Sequence, residues 1–335
     1  MLHPPVTIPI AFVHGMLSGV RARGLPVEDY LAASGIAVEL LQEVSARVTT
    51  DQYVTLWRVL TEDLDDEVIG FLSRPLRRGS YALMARSALG ARTLEVALRH
   101  VAHTFRLLQD DAVLVPARDG DLAGVALRFS KPRAARPAFV DELLLRVFWR
   151  LLAWVAGGRL PVARFDFAFE SPTYAGSYGK VFPAPLQFGQ EASAFWFDAT
   201  LLACPVRRDA AALRTFLADG LLNVIMPARN EDAVSTRVRR HLERSQPAWP
   251  DLVSTAEALH MAASTLQRRL AVDGTSFQAL KDELRRDLAI VRLNTTEVPL
   301  AVLAAELGFA DNATFNRAFK AWTGSAPGAY RRSGT

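Results

Sequence analysis

The chain has 335 residues, of which 50% are hydrophobic, and it carries a formal net charge of +4 at pH 7. This length predicts about two domains with buried cores, and the composition excludes a disordered chain. The single cysteine, Cys204, excludes an intramolecular disulfide framework and is typical of a reducing cytoplasm, where we expect the protein to reside. No apolar run is long and uncharged enough to span a bilayer, so we expect no membrane partner.

The positive charge is not concentrated in one part of the chain. Residues 231–335 contain 14 Lys and Arg against 12 Asp and Glu, which leaves 25 against 23 for the remainder. Both parts therefore carry the same small excess of positive charge. The net charge gives no argument for a nucleic-acid partner. Only the placement of individual side chains can do so.

The first hundred residues have the apolar spacing of amphipathic helices separated by Gly and Pro. We predict helices over residues 10–22, 27–33, 50–64, 65–72, 81–88 and 93–108. Alternation typical of strands begins at Ala112 and continues on both sides of a turn signal at residues 117–121. This pattern predicts a β-hairpin.

The region after the hairpin predicts one long helix and several short strands. The helix covers residues 138–155, and any exposed part of its apolar face is a candidate dimer surface. Residues 162–169 alternate as in a strand, and the aromatic-rich region that follows predicts two more. A helix over 208–222 closes this part, which we interpret as an α+β domain within residues 1–225, and residues 226–233 are predicted to be a linker.

Residues 298–331 contain two short apolar stripes separated by Gly308. The first stripe comprises Leu300, Leu303, Ala304 and Leu307, and the second comprises Phe315, Phe319 and Trp322. Asp311 or Asn312 could cap the second helix. Two short helices joined by a tight turn predict a helix-turn-helix motif, whose second helix lies in the DNA major groove.

The same pattern occurs earlier, because Leu259-His260-Met261 corresponds to Leu307-Gly308-Phe309. The sequence thus predicts an all-α domain over 234–335 with helix-turn-helix units at about 251–271 and 299–321. Residues 276–293 between them keep helical spacing and, at about 1.5 Å per residue, form a linker helix of roughly 27 Å. This length could hold two recognition helices near the roughly 34 Å of one DNA turn.

The final residues resemble the AraC/XylS family of transcription regulators. The matching residues are Gly308, Phe309, Asp311, Phe315, Arg317, Phe319, Lys320, Trp322, Gly324, Pro327, Tyr330 and Arg331. Residues 20–205 are similar to the sensor domain of the ornithine-utilisation type of this family, which is related to arabinose-binding-type sensor domains. The resemblance implies double-stranded DNA, a small-molecule effector and RNA polymerase as partners, a possible homodimer, and no cofactor.

Candidate DNA contacts lie on the second helix of each unit, where amide and guanidinium groups could reach base edges or phosphates. The resemblance places Ser264, Gln267 and Arg268 on the exposed face of the first, with Arg269 as a further candidate. The exposed side of the motif places Asn312, Ala313, Asn316, Arg317 and Lys320 on the second. Arg268 and Arg317 occupy matching positions, and the resemblance suggests that at least one of them could brace the fold instead. The effector-binding residues cannot be assigned.

The amino-terminal aromatics leave two interpretations open. Phe165, Phe167 and Phe169 could line an effector pocket or form a plain hydrophobic core. A closed, fully packed core would favour a regulator controlled by a protein partner or by its own abundance.

A second alternative is an enzyme fused to the same kind of DNA-binding domain, as in alkyl-transfer DNA-repair proteins. Such proteins need reactive cysteines, which one cysteine before a proline does not supply. His100 and His103 are spaced i, i+3, but no second ligand pair accompanies them. We therefore expect neither an enzyme nor a metal site.

Overall fold

The computed structural model describes residues 6–130, 132, 136–218 and 233–331. The chain divides into two compact units. The carboxy-terminal unit lies within Met1–Val13, Leu31–Thr55 and Arg229–Thr335, and the central unit lies within His14–Tyr30 and Leu56–Ala228. The predicted domain bounds stay a prediction, and the predicted linker lies outside the described residues except for Ala233.

The elements before residue 110 are helices and two short strands. They are β1 (Thr7–Pro9), α1 (Ile10–Ala22), α2 (Glu28–Ala33), a 3-10 helix (Val38–Gln42), β2 (Arg47–Thr49), α3 (Thr50–Leu64), α4 (Ser80–Ser87) and α5 (Leu94–Leu108). Strands β1 and β2 pair antiparallel, with Ile8 opposite Val48. Amphipathic spacing explains α5, whose N-cap Thr93 accepts a hydrogen bond from the N–H of Val96.

The helix predicted over residues 65–72 is wrong. Asp66 is buried, and its carboxylate accepts hydrogen bonds from the N–H groups of Val68, Gly70 and Leu76 at 3.0, 2.8 and 2.8 Å. A side chain that binds three nearby backbone donors stabilises a turn in place of a helix.

The central unit contains a five-stranded sheet. Its later elements are β3 (Ala112–Asp119), β4 (Leu122–Phe129), α6 (Ala138–Val155), β5 (Arg164–Asp166), a 3-10 helix (Ala175–Lys180), β6 (Leu186–Gln187), β7 (Ser193–Asp198), a 3-10 helix (Ala199–Ala203) and α7 (Ala210–Ala218). The strand order is β3-β4-β7-β5-β6, and only β5 and β6 are parallel. The predicted hairpin is confirmed, although the strand predicted over 162–169 is shorter. The helix predicted over 208–222 is described only up to residue 218.

Helix α6 forms the centre of this unit, because it packs against α5, β4 and β7. Most of its side chains are buried, and the Phe148 ring lies edge-on to Phe105 with centroids 4.9 Å apart. Its apolar face is therefore buried, so the condition for a dimer surface on this helix is not met.

The aromatic residues of β5 and its extension belong to the same core. Phe165, Phe167 and Phe169 are all buried. The Phe182 ring lies 5.0 Å from Phe165 and 5.1 Å from Phe167, centroid to centroid. These rings pack on one another, so the core interpretation holds for them.

The carboxy-terminal unit is helical apart from β1 and β2. Its later elements are α8 (Val234–Arg244), α9 (Leu252–Ala258), α10 (Ala263–Val272), α11 (Phe277–Thr295), α12 (Leu300–Glu306), α13 (Asn312–Thr323) and a 3-10 helix (Pro327–Tyr330). The predicted fold class, an α+β domain followed by an all-α helix-turn-helix domain, is confirmed. None of the helices within the described ranges has the length and apolarity needed to cross a bilayer.

Candidate nucleic-acid interface

The first helix-turn-helix unit consists of α9 and α10. Asp251 caps α9 by accepting a hydrogen bond from the N–H of Ser254 at 2.8 Å. Ala256 of α9 and Leu266 and Leu270 of α10 are buried. This apolar stripe fixes the rotation of α10 and leaves its opposite side in solvent.

The second unit consists of α12 and α13. Asp311, one of the two predicted caps, accepts a hydrogen bond from the N–H of Thr314 at 2.7 Å, and that bond lowers the pKa of its carboxyl. Phe315 and Phe319 are fully buried, and Phe309 lies 5.6 Å from Phe315 between ring centroids. Phe315 and Phe319 of the aromatic stripe therefore belong to the core, and Trp322 is half-buried.

Most of the side chains that were predicted to contact DNA are exposed to solvent. Ser264, Gln267, Arg268, Arg269, Asn312, Ala313, Arg317 and Lys320 are exposed, and Asn316 is half-buried. Arg317 donates a hydrogen bond to the Thr314 hydroxyl one turn earlier, at 3.1 Å, and neither it nor Arg268 is buried in the fold. Each second helix thus presents amide and guanidinium groups of the type that reads base edges. Their roles in DNA binding stay a prediction.

The turns of the two units differ at one matching position. Gly308 has φ +74°, whereas His260 has φ +57° and a side chain that makes this conformation unfavourable. We expect His260→Gly to raise the free energy of unfolding of the carboxy-terminal unit by about 0.5–1 kcal/mol. Chemical denaturation of the full chain measures this change.

The matched control is His260→Ala, which removes the imidazole but keeps the β-carbon. It should bring no comparable gain, because the unfavourable φ remains. Equal stabilisation by both variants would contradict the backbone explanation.

Trp249 and Arg285 connect helix α11 to the second helix-turn-helix unit. The Arg285 guanidinium lies 5.0 Å from the ring centroids of both Trp249 and Phe309. The Trp249 indole N–H donates to the carbonyl of Glu306 at 2.8 Å, and the Lys281 ammonium donates to the carbonyl of Trp249 at 2.9 Å. The linker helix is therefore held by specific side chains at the turn of the second unit.

A buried carboxylate connects α11 to the amino-terminal strands. Asp287 is 2% exposed and accepts hydrogen bonds from the Thr7 hydroxyl at 2.5 Å, Arg239 at 3.3 Å and Arg286 at 2.9 Å. The Arg47 guanidinium binds the same Thr7 hydroxyl at 2.7 Å. Strands β1 and β2 therefore belong to the same packed unit as the predicted DNA-binding helices.

The electrostatics of Asp287 follow from this arrangement. Burial alone would raise the pKa of its carboxyl, but nearby arginine charges and the Thr7 hydroxyl outweigh burial and hold that pKa below its ordinary value. In decreasing order of effect, the arginines are Arg286, Arg47 and Arg239. We expect Asp287 to be ionised at neutral pH.

Sequence reasoning missed Asp287, Arg285 and Trp249. One signal was available, because Asp287 lies three residues after Leu284 on the apolar stripe of the predicted linker helix. An acidic residue on a buried stripe indicates a specific partner. The partner itself could not be found from spacing, since Thr7 is 280 positions away.

Comparisons with known proteins agree with this architecture. A family model described as the arabinose-binding domain of AraC transcription regulator matches residues 24–206, and a helix-turn-helix domain model matches residues 255–333. The fold and the paired motifs define a DNA-binding transcription regulator. The first match covers more than half of the sequence, and the chain belongs to the AraC family of transcription regulators, with an arabinose-binding-type amino-terminal domain.

Several relatives match over nearly their whole length. The ornithine utilization regulator of Pseudomonas aeruginosa is 26% identical over 97% of this chain and 96% of its own. An uncharacterized HTH-type transcriptional regulator of Mycobacterium tuberculosis is 28% identical over 99% of both chains. The crystal structure of the transcriptional regulator CdpR from Pseudomonas aeruginosa matches 92% of this chain and 97% of that chain, with 23% identity and a TM-score of 0.30.

Proposed function

We propose that this protein is a cytoplasmic regulator that reads two adjacent major-groove segments of double-stranded DNA and changes its activity when a small molecule binds. The observation that carries the DNA part is the pair of exposed polar helix faces on α10 and α13. Helix α11 has 19 residues, or about 28 Å at 1.5 Å per residue, which suits motifs that read one DNA turn apart. RNA polymerase is the proposed partner in transcription.

Selection from a random duplex library with the full chain tests the DNA part. We expect the enriched sequences to share two short conserved blocks whose centres lie about 10–10.5 base pairs apart, since one molecule carries both recognition helices. Sequencing of the bound pool measures the spacing. The control is the selected duplex with half a helical turn of extra base pairs inserted between the two blocks. This duplex should lose binding.

Enrichment of one short block only, with no effect of the insertion, would contradict reading by both units. No enrichment above non-specific binding would contradict the function itself. The salt concentration must be held constant throughout, because phosphate contacts make affinity depend on it strongly.

Control by a small molecule requires that the effector bind one state of the protein better than another. The arabinose-binding-type amino-terminal domain supports such control. A regulator governed by a partner or by abundance remains the second candidate, because Phe165, Phe167 and Phe169 form a packed core. The two candidates differ in whether the central unit binds a small molecule at all.

A further inference from the structure

Helix α6 carries two oppositely charged side chains inside the central unit. Glu142 and Arg146 are spaced i, i+4, so they lie on the same side of the helix. Glu142 is 1% exposed and Arg146 is 4% exposed. Charged side chains are rarely buried this deeply unless each is paired.

The hydrogen bonds that Glu142 accepts reach only one of its two carboxylate oxygens. The Tyr174 and Tyr178 hydroxyls both donate to its Oε1 atom, the first at 2.9 Å. Within the described part of the chain, no hydrogen-bond partner reaches Glu142 Oε2 or Arg146 Nε. An acceptor and a donor of opposite charge are thus left unsatisfied on neighbouring turns of one buried helix, and such a pair requires an explanation.

The charge on Glu142 is balanced only in part. Burial raises the pKa of its carboxyl, while the Tyr178 and Tyr174 hydroxyls and the Arg146 charge act in the opposite direction. On balance this pKa is raised, and a cation placed at Oε2 would lower it and favour the ionised form. The site therefore gains electrostatically from a ligand that brings its own positive group.

Aromatic rings surround Tyr178, one of the two tyrosines that bind Glu142. The Tyr178 ring centroid lies 5.7 Å from Tyr174, 5.5 Å from Phe167 and 6.0 Å from Phe188. Tyr174 is half-buried, so it separates Glu142 from the surface. It lies just before the short 3-10 helix Ala175–Lys180 and outside the strands of the sheet, and a ligand that approaches Glu142 from this side displaces it.

A groove elsewhere in the central unit is a weaker candidate. It has a volume of about 150 Å³ and lies beside Glu95, Arg99 and Arg118. Arg99 already pairs with Glu95 at 2.7 Å, and both side chains are largely in solvent. The charges of this groove are therefore partly satisfied without a ligand.

We propose that Glu142 and Arg146 are the anchors of an effector site for a small molecule that carries both a protonated amine and a carboxylate. The amine donates to Glu142 Oε2, the carboxylate accepts from the Arg146 guanidinium, and the Tyr174 and Tyr178 rings cover the remainder of the molecule. The inference rests on the proposed function, because it names the ligand class of the sensing unit. Free α-amino acids have this chemistry.

The test uses the purified full chain and the standard L-amino acids as probes. We expect at least one of them to raise the melting temperature and to bind in calorimetry. Its decarboxylated amine and its desamino acid should each bind about 10- to 100-fold more weakly, because one buried charge then stays unpaired. Absence of any shift across the amino acids overturns the proposal.

Three variants locate the site. Glu142→Gln, which keeps Oε1 but loses the negative charge, should weaken binding about 10- to 100-fold, whereas Glu95→Gln in the groove should leave it unchanged. Equal binding by wild type and Glu142→Gln overturns the proposal. The double variant Glu142→Gln/Arg146→Met should lose amino-acid binding without a fall in the ligand-free melting temperature, since it removes two poorly paired buried charges.

A lower ligand-free melting temperature in the double variant would show that the pair stabilises the fold and would also overturn the proposal. The wild-type chain is assayed against the duplex library in parallel. If the wild-type chain binds specific DNA but no amino acid, only the effector site is rejected. If it binds neither specific DNA nor an amino acid, the proposed function is rejected as well.

Discussion

Replacing Asp287 with alanine should lower the free energy of unfolding of the carboxy-terminal unit by about 3–5 kcal/mol. The variant removes the shared acceptor of the Thr7 hydroxyl and the Arg239 and Arg286 guanidinium groups. These donors would then lie in or near a buried site with uncompensated positive charge. Denaturation of the full chain, followed by hydrogen exchange at the amides of α11, measures the loss in this unit.

Asp282→Ala is the matched control on the same helix. Asp282 is half-buried, accepts a hydrogen bond from Gln278 at 2.9 Å, and lies 3.9 Å from the Arg285 guanidinium. Its removal should change stability by no more than about 1 kcal/mol. If Asp287→Ala lowered the free energy of unfolding by no more than about 1 kcal/mol as well, Asp287 would act as an ordinary surface charge.

Acid titration provides a second measurement of the Asp287 effect. Its pKa is lower in the folded protein than in the unfolded chain, so its stabilisation is fully present above the unfolded value of about 3.9. The stabilisation is lost as pH falls from there through the folded pKa. Asp287→Asn should therefore make stability less dependent on pH in this acidic range, and an unchanged acid profile would contradict the assignment.

Gln267→Ala and Arg268→Ala should each weaken binding to the selected duplex by about 1–3 kcal/mol and relax base preference at one end of the site. Both side chains are exposed on α10, whose buried face is fixed by Leu266 and Leu270. An amide or guanidinium group on this face can form paired hydrogen bonds with a base edge. Fluorescence anisotropy with the selected duplex and its single-base variants measures both effects.

Gln278→Ala offers a control of the same residue type, because Gln278 is also exposed but lies on the linker helix α11. We expect it to leave the base preference unchanged. A uniform loss across all duplex variants for Arg268→Ala would assign that residue to phosphate contact. An unchanged site and affinity for both α10 variants would remove this helix from the interface.

The helices could be predicted well because their formation depends on local apolar spacing. The predicted bounds of α1, α3 and α6 coincide with the observed ones. The segment after α3 was mispredicted as a helix because its structure depends on one side chain, Asp66, that binds backbone donors up to ten residues away. Local patterning carries no information about such a bond.

The candidate interface was predictable for a related reason. The sequence repeats an apolar stripe, a tight turn and a second apolar stripe. This repeat indicates which faces of α10 and α13 are buried, and hence which faces are exposed to solvent. By contrast, the association of the amino-terminal elements with α11 depends on pairs such as Gln52 of α3 and Asn294 of α11, which are hydrogen-bonded at 2.9 Å across 242 positions. Single-sequence spacing cannot identify partners at that separation.

The pairing of Thr7 with Asp287 also has a consequence for biosynthesis. Strands β1 and β2 are translated before helix α11, which receives them, and 280 positions separate Thr7 from Asp287. The unit cannot close before α11 has been made, because until then the two strands lack the helix against which they pack. Strands β1 and β2 therefore remain without these neighbours while the residues of the central unit are synthesised.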